Sequence, residues 1–218
     1  MISDLQKLGG ISALIEAALY VTGFALFLTV LNPSGYEGHA QRVAFLAENQ
    51  VAAYIGNLLI YVVFGVVLVV LALALHARLK DGSPAIMQTA TAFGLIWAGL
   101  VIASGMIANV GNATVVGLFS ENQDQAVLLW LALGTVQEAL GGGNEIVGGL
   151  WVLLLSWAAL RSDRLPKVLN YLGVLVGLAG ILTVVPAFAV LMDVFGLSQI
   201  VWFAWLGVVM LRESPSAT

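Results

Sequence analysis

The sequence predicts an all-α integral membrane protein: a six-transmembrane-helix bundle, N-in/C-in, with an outer interfacial helix and a Gly-broken fourth-helix region. Three observations carry this expectation. First, 61% of the 218 residues are hydrophobic and 9% are charged, whereas a soluble domain carries about a quarter charged residues. The chain lacks the polar surface to face water on all sides. Second, apolar runs of the ~20 residues needed to cross a ~30 Å hydrocarbon core recur along the whole length, and mean hydropathy is +1.01. Third, the basic residues fall between the runs in such a way that one side collects almost all of them.

The first span is expected over residues 11–31, ending at Asn32-Pro33, a helix stop. Its run is of span length rather than leader length, and no small-residue cleavage site follows, so it reads as a retained span. Residues 32–50 form a long outer connection. In it Ala40, Val43, Ala44, Ala47 and Val51 recur at helical spacing and predict a short interfacial helix. Spans two and three cover residues 51–75 and 86–110.

Residues 125–160 would make a helix of about 54 Å, too long for one span and too short for two with a loop. Near the centre stand Gly141, Gly142 and Gly143, which weaken a helix. Residues 126–140 are therefore read as an outer segment, interfacial or partly re-entrant, and the fourth span as 142–160, with a single long fourth helix through 126–140 left open. The fifth span covers 168–190, with Pro186 predicting a kink near its far end. The sixth covers 194–211. The whole chain, 1–218, reads as a single transmembrane domain.

With six spans, Lys7, Arg78, Lys80, Arg161, Arg164, Lys167 and Arg212 share one side, and Arg42 stands alone on the other. The positive-inside bias then places both termini in the cytoplasm. Splitting residues 126–160 into two spans would move Arg212 across and weaken that asymmetry.

Several chemistries are excluded. The chain has no cysteine, so disulfides, thiolate metal sites and a cysteine nucleophile are absent. His39 and His76 fall on opposite sides and cannot together hold haem or a metal ion. No span holds a lysine for a Schiff base. No H-E-x-x-H or G-x-S-x-G motif occurs, and no basic patch points to nucleic acid. No catalytic residue, metal site or resident cofactor is evident. A bound lipid or apolar pigment is the remaining ligand class.

Polar residues gather by depth. The predicted topology brings Asn57, Asn109, Asn112, Gln137, Glu138, Asn144, Glu145 and Asp193 to the outer leaflet. Tyr54, Asn57 and Tyr61 share a helix face, as do Gly105, Asn109 and Asn112. Glu138, Gly141, Glu145 and Gly148 form a third face if 137–150 stays helical. Two readings stand. One is an outward-opening polar pocket with Glu145 at its floor, and Glu145, Asn144, Asn57, Asn109, Asn112, Tyr54 and Tyr61 as ligand-binding candidates. The other is a set of hydrated groups that hold helices together.

Glu145 is the leading candidate because an ionisable group within a span costs roughly 2.5–3.5 kcal/mol at the helix centre, and less near the edge. Such a carboxyl suits a proton-linked site. Arg42 and His39 are the basic groups on its side. Glu16 is a second buried ionisable candidate, with Ser12, Tyr20 and Gly23 on its face and His76 or Arg78 as expected partners in a structural ion pair.

The remaining marks are weaker. Gly173, Gly177 and Gly180, with Gly148 and Gly149, read as close-packing faces. Trp202 and Trp205 share a face that either stacks on an apolar ligand or pigment or simply packs. Gly56-Asn57 and Gly143-Asn144 open two spans of the same direction, by duplication or by chance.

Three stretches carry a resemblance: Leu165-Pro166-Lys167-Val168-Leu169-Asn170-Tyr171-Leu172-Gly173; Ile200-Val201-Trp202-Phe203-Ala204-Trp205-Leu206-Gly207 closing on Leu211-Arg212; and Gly148-Gly149-Leu150-Trp151. Over mainly residues 142–212 the chain resembles a family of small bacterial multi-pass membrane proteins known only as a domain of unknown function. The resemblance implies a bundle in a bacterial inner (plasma) membrane and brings no activity with it. The expected function is a non-enzymatic integral membrane binding or accessory subunit. It would engage membrane lipids, a pigment, a partner membrane protein or a second copy of itself. The alternative is a small proton-linked secondary carrier using Glu145. An intramembrane enzyme would need a nucleophile or a metal set that the sequence does not show.

Overall fold

A chain that spends its length in hydrocarbon must close its backbone hydrogen bonds within each segment, which favours the α-helix. The computed structural model describes residues 2–142 and 145–212, and every regular element among them is helical. In order these are α1 (Ile2–Leu28), α2 (His39–Glu48), α3 (Gln50–Asn57), α4 (Phe64–Leu79), α5 (Pro84–Phe119), α6 (Gln123–Gln137), α7 (Glu145–Ser162), α8 (Lys167–Leu182) and α9 (Leu191–Arg212). A π-helical segment, Leu58–Val63, joins α3 to α4, and a second, Glu138–Gly142, follows α6. Among the described residues, five runs are long and apolar enough to cross a membrane: Asp4–Leu28, Gln50–Leu79, Pro84–Phe119, Gln123–Ser162 and Leu191–Arg212. The protein is an all-helical membrane protein. α8 is apolar too, but at 16 residues it is shorter than these five.

Glycines set the close approaches and so reveal helix direction. A methyl group on Gly9 would meet Ala74, and one on Gly23 would lie 3.1 Å from Ile60 Cγ2, so α1 and α4 are antiparallel. Gly10 faces Gly207 while Gly196 faces Phe24, so α9 also runs antiparallel to α1. In the α7–α8 hairpin, a Cβ on Gly149 would come 2.7 Å from the Gly177 carbonyl oxygen, and the converse distance is the same. The predicted small-residue face is real, and backbone meets backbone across it.

This arrangement puts the start of α1, the end of α9 and the α4–α5 and α7–α8 loops at one end of the bundle, here the terminal end. Arg78 Nη2 donates to the Arg164 carbonyl at 2.9 Å, and Gln6 Nε2 to that of Met210 at 3.0 Å. Lys7, Lys80, Arg161, Lys167 and Arg212 lie there as well, and Arg42 lies at the opposite, cap end. The core between is aromatic. Trp151 sits 5.8 Å from both Trp97 and Trp202, and Trp202 sits 5.2 Å from Phe203. Trp202 and Phe203 are fully buried.

Four expectations change or gain detail. First, residues 126–137 belong to α6, which runs antiparallel along α5, with Leu133 against Gly111 and Ser104 Oγ donating to the Gln137 carbonyl at 3.0 Å. Second, α5 does not stop at residue 110. Its 36 residues span about 54 Å against a ~30 Å hydrocarbon core, so one end projects beyond a bilayer. Third, the predicted apolar stripe touches protein at Val43 of α2, which is fully buried with Val115 of α5 and Ala126 of α6 in a small second core, while Ala40 and Val51 are exposed. Fourth, Pro186 kinks no helix. α8 has ended at Leu182, Val185 is extended (φ −91°, ψ 117°), and Pro186 opens a 3-10 turn. A residue before proline disfavours the helical region, so the helix ends upstream.

Candidate functional site

The two π-helical segments organise the candidate site. A π turn closes i→i+5 bonds and takes in an extra residue, so side chains beyond it point elsewhere than a regular helix would send them. Tyr54 and Tyr61 were expected on one face. The segment Leu58–Val63 separates them: Tyr54 is exposed at a groove on the cap side, and Tyr61 turns inward. The second segment likewise breaks the predicted face through Glu138 and Glu145, leaving Glu138 exposed and Glu145 half-buried. Both segments press on α5 at one level, because Gly105 has no side chain to keep Tyr61 away and Ser104 bonds to Gln137. The Tyr61 hydroxyl lies within polar reach of the Gln137 side chain.

Beside this junction lies a cavity of about 440 Å³, partly open to the surface. Its walls are Leu19, Tyr20, Gly23, Phe24, Phe27 and Leu28 of α1, Ile60 and Tyr61 of the first π segment, Phe64 of α4, and Trp97 and Val101 of α5. Met192, Phe195 and Gly196 of α9 complete them, with Glu145 at the start of α7. Glu145 is the one carboxyl group in a wall otherwise apolar and aromatic. Its Oε2 is buried and has no hydrogen-bond partner among the described residues. Tyr20 stacks on Phe203 at 6.1 Å and meets Phe64 edge-on at 5.4 Å. It lies within electrostatic reach of both Glu16 and Glu145.

The expected single polar pocket is therefore divided. Glu145 and Tyr61 belong to the aromatic cavity. Tyr54, Asn109 and Asn112 line a separate groove of about 300 Å³ with Gln50, Val51 and Ala113. In it Asn109 Nδ2 donates to the Tyr54 carbonyl at 3.3 Å, and Asn109 Oδ1 is buried without a partner among the described residues. Asn57 is buried and lines neither space. Asn144 lies outside the described residues.

The expected charge partners stand elsewhere. Arg42 donates Nε to the Tyr36 carbonyl at 3.0 Å, and the His39 ring lies 6.1 Å from that of Trp130. Glu16 is fully buried, but His76 and Arg78 sit at the terminal end, two turns or more from its level. His76 Nδ1 lies 2.8 Å from Thr91 Oγ1, while Arg78 reaches Arg164. Both Glu16 oxygens lack a hydrogen-bond partner among the described residues, as do both polar atoms of the fully buried Gln199. Trp202 and Trp205 also part company: Trp202 is in the core, and Trp205 is 36% exposed.

Sequence reasoning missed most of the cavity wall. Phe24, Phe27, Trp97, Met192 and Phe195 are apolar residues in apolar helices, and nothing in the letters separates them from ordinary packing. One signal was present. Tyr20, Phe24 and Phe27 follow Glu16 at helical spacing and put a row of rings beside the face that carries the carboxyl. Chemically, the arrangement offers a largely apolar container that carries one carboxyl group among its described wall residues.

No curated protein and no solved structure matches the chain. One family model does, over residues 8–211, which runs from α1 to α9 and well beyond the stretch 142–212. The chain belongs to the family described as "Domain of unknown function (DUF4386)".

Proposed function

We propose that the protein is a non-enzymatic binding subunit of a bacterial inner membrane. It would hold a lipid or apolar pigment in the aromatic cavity and present it to the membrane or to a partner membrane protein. The supporting observation is the cavity itself. Its volume of about 440 Å³ falls in the ~300–1,000 Å³ range of small-molecule sites, and its mostly apolar wall with a few polar groups matches their usual composition. In this reading α8 is the short fifth of six crossings, the terminal end is cytoplasmic because it gathers the basic residues, and the cap of α2, α5 and α6 lies outside.

A second reading, the proton-linked carrier, draws support from Tyr20. This hydroxyl lies within electrostatic reach of a carboxyl deep in the bundle, Glu16, and of one in the cavity, Glu145. Together the three make a short row of titratable groups.

Native mass spectrometry of the chain, extracted gently from its own membrane, tests the first reading. A stoichiometric extra mass is the expected result, reduced when Gly196→Leu fills the cavity wall. A bare chain in vesicles that acidifies its lumen with a substrate gradient would replace this reading with the carrier.

A further inference from the structure

We propose that the ligand of this cavity is a lipophilic organic cation, with Glu145 as its counter-ion and the aromatic wall as its container. The proposal rests on the binding reading above and narrows its ligand class. A lipid or pigment of any charge could use apolar walls. The polar groups of this wall are what discriminate.

The carboxyl is the first observation. Glu145 Oε2 is buried at the cavity, and no described residue donates to it. A buried acceptor left unmade is expensive, and a charged one more so. A ligand that brings a positive charge removes that cost on binding.

The rings are the second. Tyr20, Phe64, Trp97 and Phe195 all line the same space. The negative faces of aromatic rings attract cations, most strongly where water is excluded, and boxes of such rings are a recurrent means of holding quaternary ammonium groups.

Charge placement is the third. Among the described residues the cavity wall contains no basic group, and Arg42 is engaged with the Tyr36 carbonyl in the cap. Glu138 lies within electrostatic reach of Glu145. An anionic ligand would meet carboxyl groups and no counter-charge. The wall residues Phe27 and Leu28 are exposed, so an apolar cation dissolved in the membrane has an apolar way in.

The test compares three probes on the purified full chain in one detergent by titration calorimetry. Tetraphenylphosphonium is the cation, tetraphenylborate the anion of like shape, and triphenylphosphine oxide the neutral hydrogen-bond acceptor. Tetraphenylphosphonium is expected to bind at least tenfold more tightly than tetraphenylborate. Glu145→Gln should weaken the cation at least tenfold, Glu145→Asp less, and neither should move the neutral probe.

A measurement on the unaltered chain guards against a misfolded variant. Lowering the pH should weaken tetraphenylphosphonium as protons compete for Glu145. Among the described residues, Glu138 and the hydroxyls of Tyr20 and Tyr61 are the other titratable groups at the cavity, so Glu138→Gln should leave that profile in place. If all three probes bind alike and Glu145→Gln changes nothing, the cavity is a neutral lipophile site, and the cation proposal falls while the binding reading stands. If none binds, both fall.

Discussion

The Tyr61 hydroxyl lies within polar reach of the Gln137 side chain, and that approach brings one π-helical segment of the bundle to the flank of the other. Tyr61 lies inside Leu58–Val63, and Gln137 is the last residue before Glu138–Gly142. π-helical turns are rare and gather at functional sites. Here both face the same point of α5, where Gly105 admits Tyr61 and Ser104 holds the Gln137 carbonyl. The junction turns Tyr61 towards the cavity and precedes Glu145 on the opposite wall.

If the junction is a true coupling, Tyr61 and Gln137 should not act independently. Tyr61→Phe and Gln137→Ala, alone and combined, form a double-mutant cycle to be read by unfolding in mixed micelles. Side-chain hydrogen bonds inside membrane bundles are worth ~0.6 kcal/mol on average and up to ~1.7 kcal/mol, and a coupling in that range is expected. Strict additivity would mean that the two segments are held only by α5.

The α7–α8 hairpin makes a sharper stability prediction. A Cβ at position 177 would come 2.7 Å from the Gly149 carbonyl oxygen and 2.8 Å from the Leu153 backbone nitrogen. Backbone atoms cannot swing aside as a side chain would. Gly177→Ala should therefore destabilise the bundle by about 1–3 kcal/mol, as other overpacked sites do. Gly99 has nothing within 4 Å of its built Cβ. Gly99→Ala should be neutral or gain up to ~1 kcal/mol of helix propensity. Unfolding midpoints that shift equally for both would contradict the close backbone contact.

What could be read in advance follows from which physical signals are local. Apolar runs and Gly173, Gly177 and Gly180 speak for themselves, because span length and close packing are properties of one helix face. The far half of α5 does not. Asn109, Asn112 and Thr114 lower its hydropathy, so the apolar run stops at residue 110. The helix continues because α2 and α6 cover Val115, while Asn109 donates to the Tyr54 carbonyl and Thr114 faces outward. The site was harder still. Face arithmetic at 3.6 residues per turn groups Tyr54 with Tyr61, and one π segment undoes it. Glu145 stood out as a carboxyl among apolar residues, but the rings around it come from five separate segments that only the tertiary fold assembles.

Glu16 offers a test of what occupies the bundle interior. It is fully buried on α1 without a hydrogen-bond partner among the described residues. A buried polar group left unpaired costs ~1–3 kcal/mol. Glu16→Leu should remove that cost and raise the unfolding midpoint, while Glu16→Gln, still polar, should gain less. A lower midpoint for Glu16→Leu would mean that internal water or a bound proton carrier satisfies the carboxyl in the membrane. That result would move weight to the carrier reading.

The orientation can be read directly, because the native chain contains no cysteine and a single introduced thiol reports alone. Ser120 is exposed in the α5–α6 turn at the cap end, and Asp81 is exposed in the α4–α5 loop at the terminal end. In intact cells a membrane-impermeant maleimide should label the Ser120→Cys chain, and it should label the Asp81→Cys chain only after lysis. The reverse pattern would place the basic cluster outside, against the positive-inside bias, and would send the cap into the cytoplasm. Labelling of both chains in intact cells would mean that α5 does not cross at all. The same length of α5 that projects the cap would then have to lie along the bilayer, and the aromatic cavity beside it would lose its route to the lipid.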